Sequence, residues 1–167
     1  LHTGCQLYVS HQGSVLADVG VGESHGGIAM TNNTMNLWLS AGKPLTAVAI
    51  LQQYEQGRLS LDDKVAKFLP EFGRGGKHDI TIKHLLVHTG GFRNVETGWP
   101  EASWDEVIHR ICNSQLEENW TVGQTAAYHA TTSWFILGEL LQRVTGRSFT
   151  NVAREDVLLP LGLFDSW

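Results

Sequence analysis

Apolar and polar positions alternate at the start of the chain, where Leu7 and Val9 stand two residues apart, the spacing of a half-buried strand. A second such run over residues 14–19 follows Gln12-Gly13, and the pair predicts a β-hairpin. Past residue 39 the period lengthens. Leu45, Val48, Ala49 and Leu51 recur at helical spacing, and the pattern stops at Gly57, a good residue just beyond a helix end. A helix over 40–56 is predicted, with Pro44 in its first turn, where a missing N–H costs nothing. The same reading predicts helices over 81–87, 104–113, 132–145 and 149–157, with glycine-rich turns at 73–76 and 90–91. A hairpin followed by a mostly helical region defines an α+β chain.

Within the predicted helix start lies Ser40-Ala41-Gly42-Lys43. Residues three apart on a helix share a face, with Cβ atoms about 5–6 Å apart. A serine hydroxyl becomes a nucleophile only when a base takes its proton, and lysine can serve where burial or nearby positive charge lowers its pKa. The unpaired N–H groups of a helix start favour the oxyanion formed in acyl transfer. Ten serines and five lysines among 167 residues give about 0.3 Ser-x-x-Lys matches by chance, so the motif alone is weak. Its plain alternative is an N-cap serine with a solvated lysine one turn later.

Several separate segments add context. Gly57-Arg-Leu-Ser-Leu-Asp-Asp-Lys-Val-Ala-Lys-Phe-Leu-Pro70 follows the Ser40 helix. Ile80-Thr-Ile-Lys-His-Leu-Leu-Val-His-Thr-Gly-Gly-Phe92 is similar to an "LLxHTSG" signature, with Gly90 in place of its serine. Ala127-Tyr-His-Ala precedes the helical run from Trp134 to Gly146. In this order they resemble the serine β-lactamase-like hydrolases, the family of class C β-lactamases, carboxylesterases of that fold and D-amino-acid peptidases. The resemblance implies a β-lactamase/transpeptidase-like fold, of which this chain covers the N-terminal part and lacks the C-terminal sheet strands. Residues 1–39 then hold the N-terminal strands, 40–57 the nucleophile helix and 58–167 the helical region carrying the tyrosine motif.

The resemblance also implies roles: Ser40 as nucleophile, with Lys43 and Tyr128 moving the protons. Free tyrosine has a pKa near 10, and a neighbouring ammonium favours its phenolate. Lysine and tyrosine then titrate as a coupled pair. The alternative for Tyr128 is a buried tyrosine with a satisfied hydroxyl. Two departures matter. Where the family often has Tyr-x-Asn, this chain has Tyr128-His129-Ala130, without the amide that helps hold β-lactam and peptide substrates; this favours an esterase over a β-lactamase, D-peptidase or acyltransferase. His129 is a candidate extra donor to the pocket. After Tyr128 there is no Lys/His-Ser/Thr-Gly triplet, the motif that supplies the second oxyanion donor, and losing one such donor costs about 10² to 10³ in rate. His2-Thr3-Gly4 and His88-Thr89-Gly90 lie elsewhere in the order. A non-catalytic relative that binds a peptide or partner protein is therefore the reading from another class.

Composition narrows the partners. The hydrophobic share of 42% builds a core, and a net charge of −5 without a basic stripe argues against nucleic acid. No run of 18 apolar residues predicts a membrane span. The first ten residues do not read as a signal peptide, which leans toward the cytoplasm. Cys5 and Cys112 fit free thiols as well as one bridge. His84 and His88 have i, i+4 spacing but lack the glutamate and third ligand of a zinc hydrolase, so neither metal nor cofactor is expected. Among the tryptophans, Trp38, Trp99, Trp104, Trp120 and Trp134 read as packing residues, with one or two at the rim of a pocket for an acyl or aromatic ester. The expected substrate is a small ester or amide, with oligomeric state open.

Overall fold

The computed structural model of the chain describes residues 3–166, so His2 of the His2-Thr3-Gly4 triplet lies outside the described residues. The chain divides at Trp38/Leu39 into two units. In the first, β1 (Gly4–His11) and β2 (Ser14–His25) pair antiparallel, with Leu7 opposite Val19 and Val9 opposite Ala17. The predicted hairpin forms because Gln12 (φ 49°) and Gly13 (φ 81°) both take positive φ, the two-residue turn whose twist matches its strands. The register shifts between Val9 and Ser10, leaving Leu16 as a bulge. A short β3 (Ile28–Ala29), not predicted by the alternation, extends the order to β1-β2-β3. Gln6 Nε2 donates to the carbonyls of Thr31 and Thr34 at 2.7 Å each, tying the following loop to β1. The alternation predicted a half-buried face, yet Leu7 and Val21 are at least half exposed, because no second layer covers the sheet among the described residues of this unit.

The second unit opens on a single 3₁₀ turn, Leu39–Gly42, and only then enters α1 (Lys43–Glu55). The helix predicted from residue 40 thus starts as a tighter turn. It ends at Gln56, whose N–H reaches the Gln52 carbonyl, before Gly57. α2 (Ile82–Leu86) is shorter than predicted and carries a reciprocal cap: the His84 N–H donates to Thr81 Oγ1 and the Thr81 N–H to His84 Nδ1, a capping box with histidine in the usual acidic position. The chain leaves this helix at His88, which takes φ 61°, rather than at the Gly90-Gly91 pair.

α3 (Trp104–Asn113) and α4 (Thr132–Thr145) keep the predicted bounds. α5 (Phe149–Val152) is cut short by a π-helical segment, Ala153–Leu158. There Gln52 donates to the Asp156 carbonyl and Arg147 grips the carboxylates of Asp156 and Glu155, contacts that compete with a regular helical ladder.

The core joins one side of each helix: Ala49 and Ile50 of α1, Ile82 and Leu85 of α2, Val107 and Ile111 of α3, Ile136, Leu137, Leu140 and Leu141 of α4. Phe72 and Phe92 meet edge to face at its centre. Burying each of the larger of these side chains contributes about 1.5–3 kcal/mol. Lys77, fully buried, donates to the carbonyls of Cys112 and Ser114 at the end of α3, where the helix dipole favours a cation.

Candidate active site

Ser40 stands in the 3₁₀ turn and Lys43 is the first residue of α1. With three residues per turn, positions i and i+3 eclipse, which places Lys43 Nζ 2.9 Å from Ser40 Oγ as its donor. Leu39, immediately before the serine, has φ 46°, a left-handed conformation that is costly for a bulky side chain and found where the surroundings impose it.

Tyr128 comes from the segment preceding α4 and is 88 positions from Ser40, yet its Oη lies 2.5 Å from Ser40 Oγ. Lys43 Nζ sits 5.1 Å from the Tyr128 ring centroid and 5.6 Å from that of Trp134, within range of attraction to both ring faces. The three residues singled out in the sequence therefore form one hydrogen-bonded set. The Lys43 side chain, and then the Ser40 hydroxyl, hold the Tyr128 phenol below its ordinary value, which favours the phenolate as a proton acceptor. Both Ser40 and Tyr128 are exposed.

The tyrosine segment is held by the 88–92 turn. The Ala127 N–H donates to the His88 carbonyl at 3.2 Å, and the His129 N–H donates to His88 Nδ1 at 3.1 Å. Burial, and then the Lys43 charge, lower the pKa of His88, in keeping with a neutral ring that accepts at Nδ1. The turn is clamped from outside by residues 114–125: Trp120 Nε1 donates to the Thr89 carbonyl, and Glu117 takes a forked pair from Arg93.

His129, a candidate pocket donor in the sequence, is instead fully buried with its ring turned into the core. Its ring bonds explain the change: Nε2 accepts from the Gly91 and Phe92 N–H groups and Nδ1 pairs with the Ala127 carbonyl, so the ring faces the 88–92 turn. His84 and His88, at i and i+4, go to separate partners, one capping α2 and one holding the tyrosine segment. Trp104 donates to Glu139 and packs on Phe135 and Phe149, while Trp38 and Trp99 are exposed. Sequence reasoning missed Trp134 as a neighbour of Lys43 and His88 as the anchor of Tyr128; the paired histidines before the glycines were visible, but their purpose was not.

The comparisons agree with this architecture. The family described as Beta-lactamase matches residues 2–167, and the chain belongs to it, a family of serine hydrolases. It is 30% identical over 151 residues to Penicillin-binding protein 4 of Amycolatopsis lactamdurans, covering 84% of this chain and 38% of that protein. It is 26% identical over 184 residues to Esterase EstB of Burkholderia gladioli, covering 97% of this chain and 46% of that protein. Among solved structures, a penicillin-binding protein homologue from Caulobacter crescentus superposes with a TM-score of 0.77 at 27% identity, covering 95% of this chain and 44% of that one. The chain thus spans less than half the length of these relatives.

Proposed function

We propose that Ser40 is the nucleophile of an acyl-transfer reaction on a small ester or amide, with esters as the first substrate class. The observation that carries this reading is the continuous contact from Lys43 Nζ through Ser40 Oγ to Tyr128 Oη, 2.9 and 2.5 Å long. With Lys43 donating to Oγ, the serine's own hydrogen can lie on the line to the tyrosine. As Oγ bonds to the carbonyl carbon, its proton passes to the coupled Lys43-Tyr128 pair. The pair returns a proton to the departing alcohol as the carbon–oxygen bond breaks. Water then attacks the acyl-serine and loses a proton to the same pair, which returns it to Ser40 Oγ as the acyl–oxygen bond breaks and the acid departs. No cofactor takes part in these steps.

The Ser40 N–H, at the opening of α1, serves as one oxyanion donor in this reading. By the family resemblance, the other belongs to the triplet with no counterpart after Tyr128 in this sequence. The preference for esters rests on Ala130, which offers no side-chain amide to hold a β-lactam or peptide, and on the resemblance to a protein named an esterase. The altered tyrosine box, Tyr128-His129-Ala130, motivates a second reading, a relative that binds a peptide or partner protein at these residues without turnover. In either case residues 1–39, 40–57 and 58–167 serve as strands, nucleophile helix and tyrosine-bearing region.

The test is intact-protein mass spectrometry of the full-length protein after exposure to a fluorophosphonate and, separately, to an activated ester. One adduct per chain that vanishes in Ser40→Ala establishes the nucleophile. Absence of any adduct in the full-length protein removes the catalytic reading and leaves the binding one.

A further inference from the structure

His129 spends all of its ring's hydrogen-bonding capacity on backbone. Nδ1 pairs with the Ala127 carbonyl at 2.8 Å, and Nε2 accepts from the Gly91 N–H at 3.0 Å and the Phe92 N–H at 3.4 Å. An acceptor at Nε2 requires the neutral ring with its hydrogen on Nδ1. The ring is walled by Phe92, Trp120 and His88, with centroids 5.3, 5.8 and 5.8 Å away. The charged and titratable groups bearing on it are His88 and Arg93 from the 88–93 segment and Glu117 from the loop after α3; the last two are paired to each other. Protonating Nε2 would aim a third N–H at the two already there.

These bonds enclose Tyr128. On one side Ala127 is tied to the 88–92 turn by its own N–H, and on the other His129 is tied to the same turn by both its N–H and its ring. Tyr128 is 54% exposed, its ring meeting the His88 ring at 5.0 Å between centroids and the Lys43 ammonium at 5.1 Å. With so little around the ring, its position against Ser40 leans on the flanking backbone.

We propose that His129, as a neutral imidazole bridging the Ala127 carbonyl and the amides of Gly91 and Phe92, is the positioning residue that sets the Tyr128 phenol against Ser40 and Lys43. It touches no reacting atom and acts through the backbone on either side of the tyrosine. The inference deepens the proposed Ser40-Lys43-Tyr128 chemistry and rests on it for its effect on rate, while its effect on Tyr128 stands apart from turnover.

The experiment compares His129→Leu, which fills the site without an acceptor, with His129→Gln, whose amide oxygen can take the Gly91 and Phe92 hydrogens, both in the full-length protein. Phenol ionisation is followed by ultraviolet absorbance, with Tyr128→Phe subtracted to isolate the one tyrosine. Expected is a Tyr128 titration returned toward the free value of about 10 in His129→Leu and kept low in His129→Gln. Acylation by the activated ester should slow about 10²-fold in His129→Leu, the cost of a misplacement near 1 Å, with KM little changed, and should stay within a few fold of the parent in His129→Gln. The proposal is overturned if Tyr128 titrates identically in all three proteins, or if leucine and glutamine variants lose equally, which would make His129 a packing residue only. If the parent itself forms no Ser40 adduct, the catalytic reading fails while the titration still decides the positioning.

Discussion

At the scale of the residue, what distinguishes Tyr128 from an ordinary surface tyrosine is an oxygen set 2.5 Å from a serine hydroxyl to which an ammonium also donates. Tyr128→Phe keeps the ring near Lys43 and removes that oxygen. Loss of one proton-transfer group costs about 10² to 10⁴ in rate, so kcat for an activated ester should fall by that factor with KM little altered. Unchanged turnover in Tyr128→Phe would leave the phenol without a role.

A second residue behaves by its surroundings. Cys112 is buried, and burial pushes its thiol up to about 11, so the reactive thiolate is nearly absent at pH 8. Native protein treated with iodoacetamide at that pH should leave Cys112 unmodified on peptide mapping, and urea should expose it; rapid labelling without urea would mean that the core packed against α3 does not cover it.

At the scale of the element, the 88–92 turn governs the site because the tyrosine segment hangs from it. Gly91 takes φ 80°, and a Cβ there would collide with the Trp120 indole. Gly91→Ala combines a left-handed backbone with overpacking and should destabilise by about 1–3 kcal/mol, read as a lower denaturant midpoint, with slower Ser40 labelling alongside. A midpoint equal to the parent's would show that Trp120 is free to move aside. This dependence was only partly legible in the sequence. The two glycines signalled a turn, and the helices over 104–113 and 132–145 followed from strong periodicity with Gly146 beyond the second. Nothing in the residue type marked His88 as the one that leaves α2: a left-handed helix end usually falls on glycine, and here a histidine takes it and also binds residues 127 and 129. The π-helical segment after α5 was hidden for the same reason, being tied to Gln52 on a distant helix.

At the scale of the whole molecule, three histidines, His84, His88 and His129, have pKa values lowered in the fold, burial being the leading cause for each. The unfolded chain takes up protons on them near pH 6.5, while the folded chain resists until lower pH. The unfolded state therefore binds more protons in that window, and stability is lost as pH falls below about 6.5. Chemical denaturation at pH 7.5 and 5.5 should give a lower midpoint at 5.5, with the gap narrowed in His129→Gln. Equal midpoints in the parent would mean that these rings are not held neutral.

The sequence by itself determined the α+β class, the hairpin, most of the helices and the neighbouring Ser40 and Lys43, since all of these follow from period, turn residues and spacing within one or two turns of chain. Tertiary structure decided that the turn at Ser40 is 3₁₀, that Tyr128 meets Ser40 across 88 positions, and that His129 faces inward to hold its neighbour. Those outcomes depend on which buried backbone groups must find partners from distant segments, a requirement that exists only once the core has closed around them.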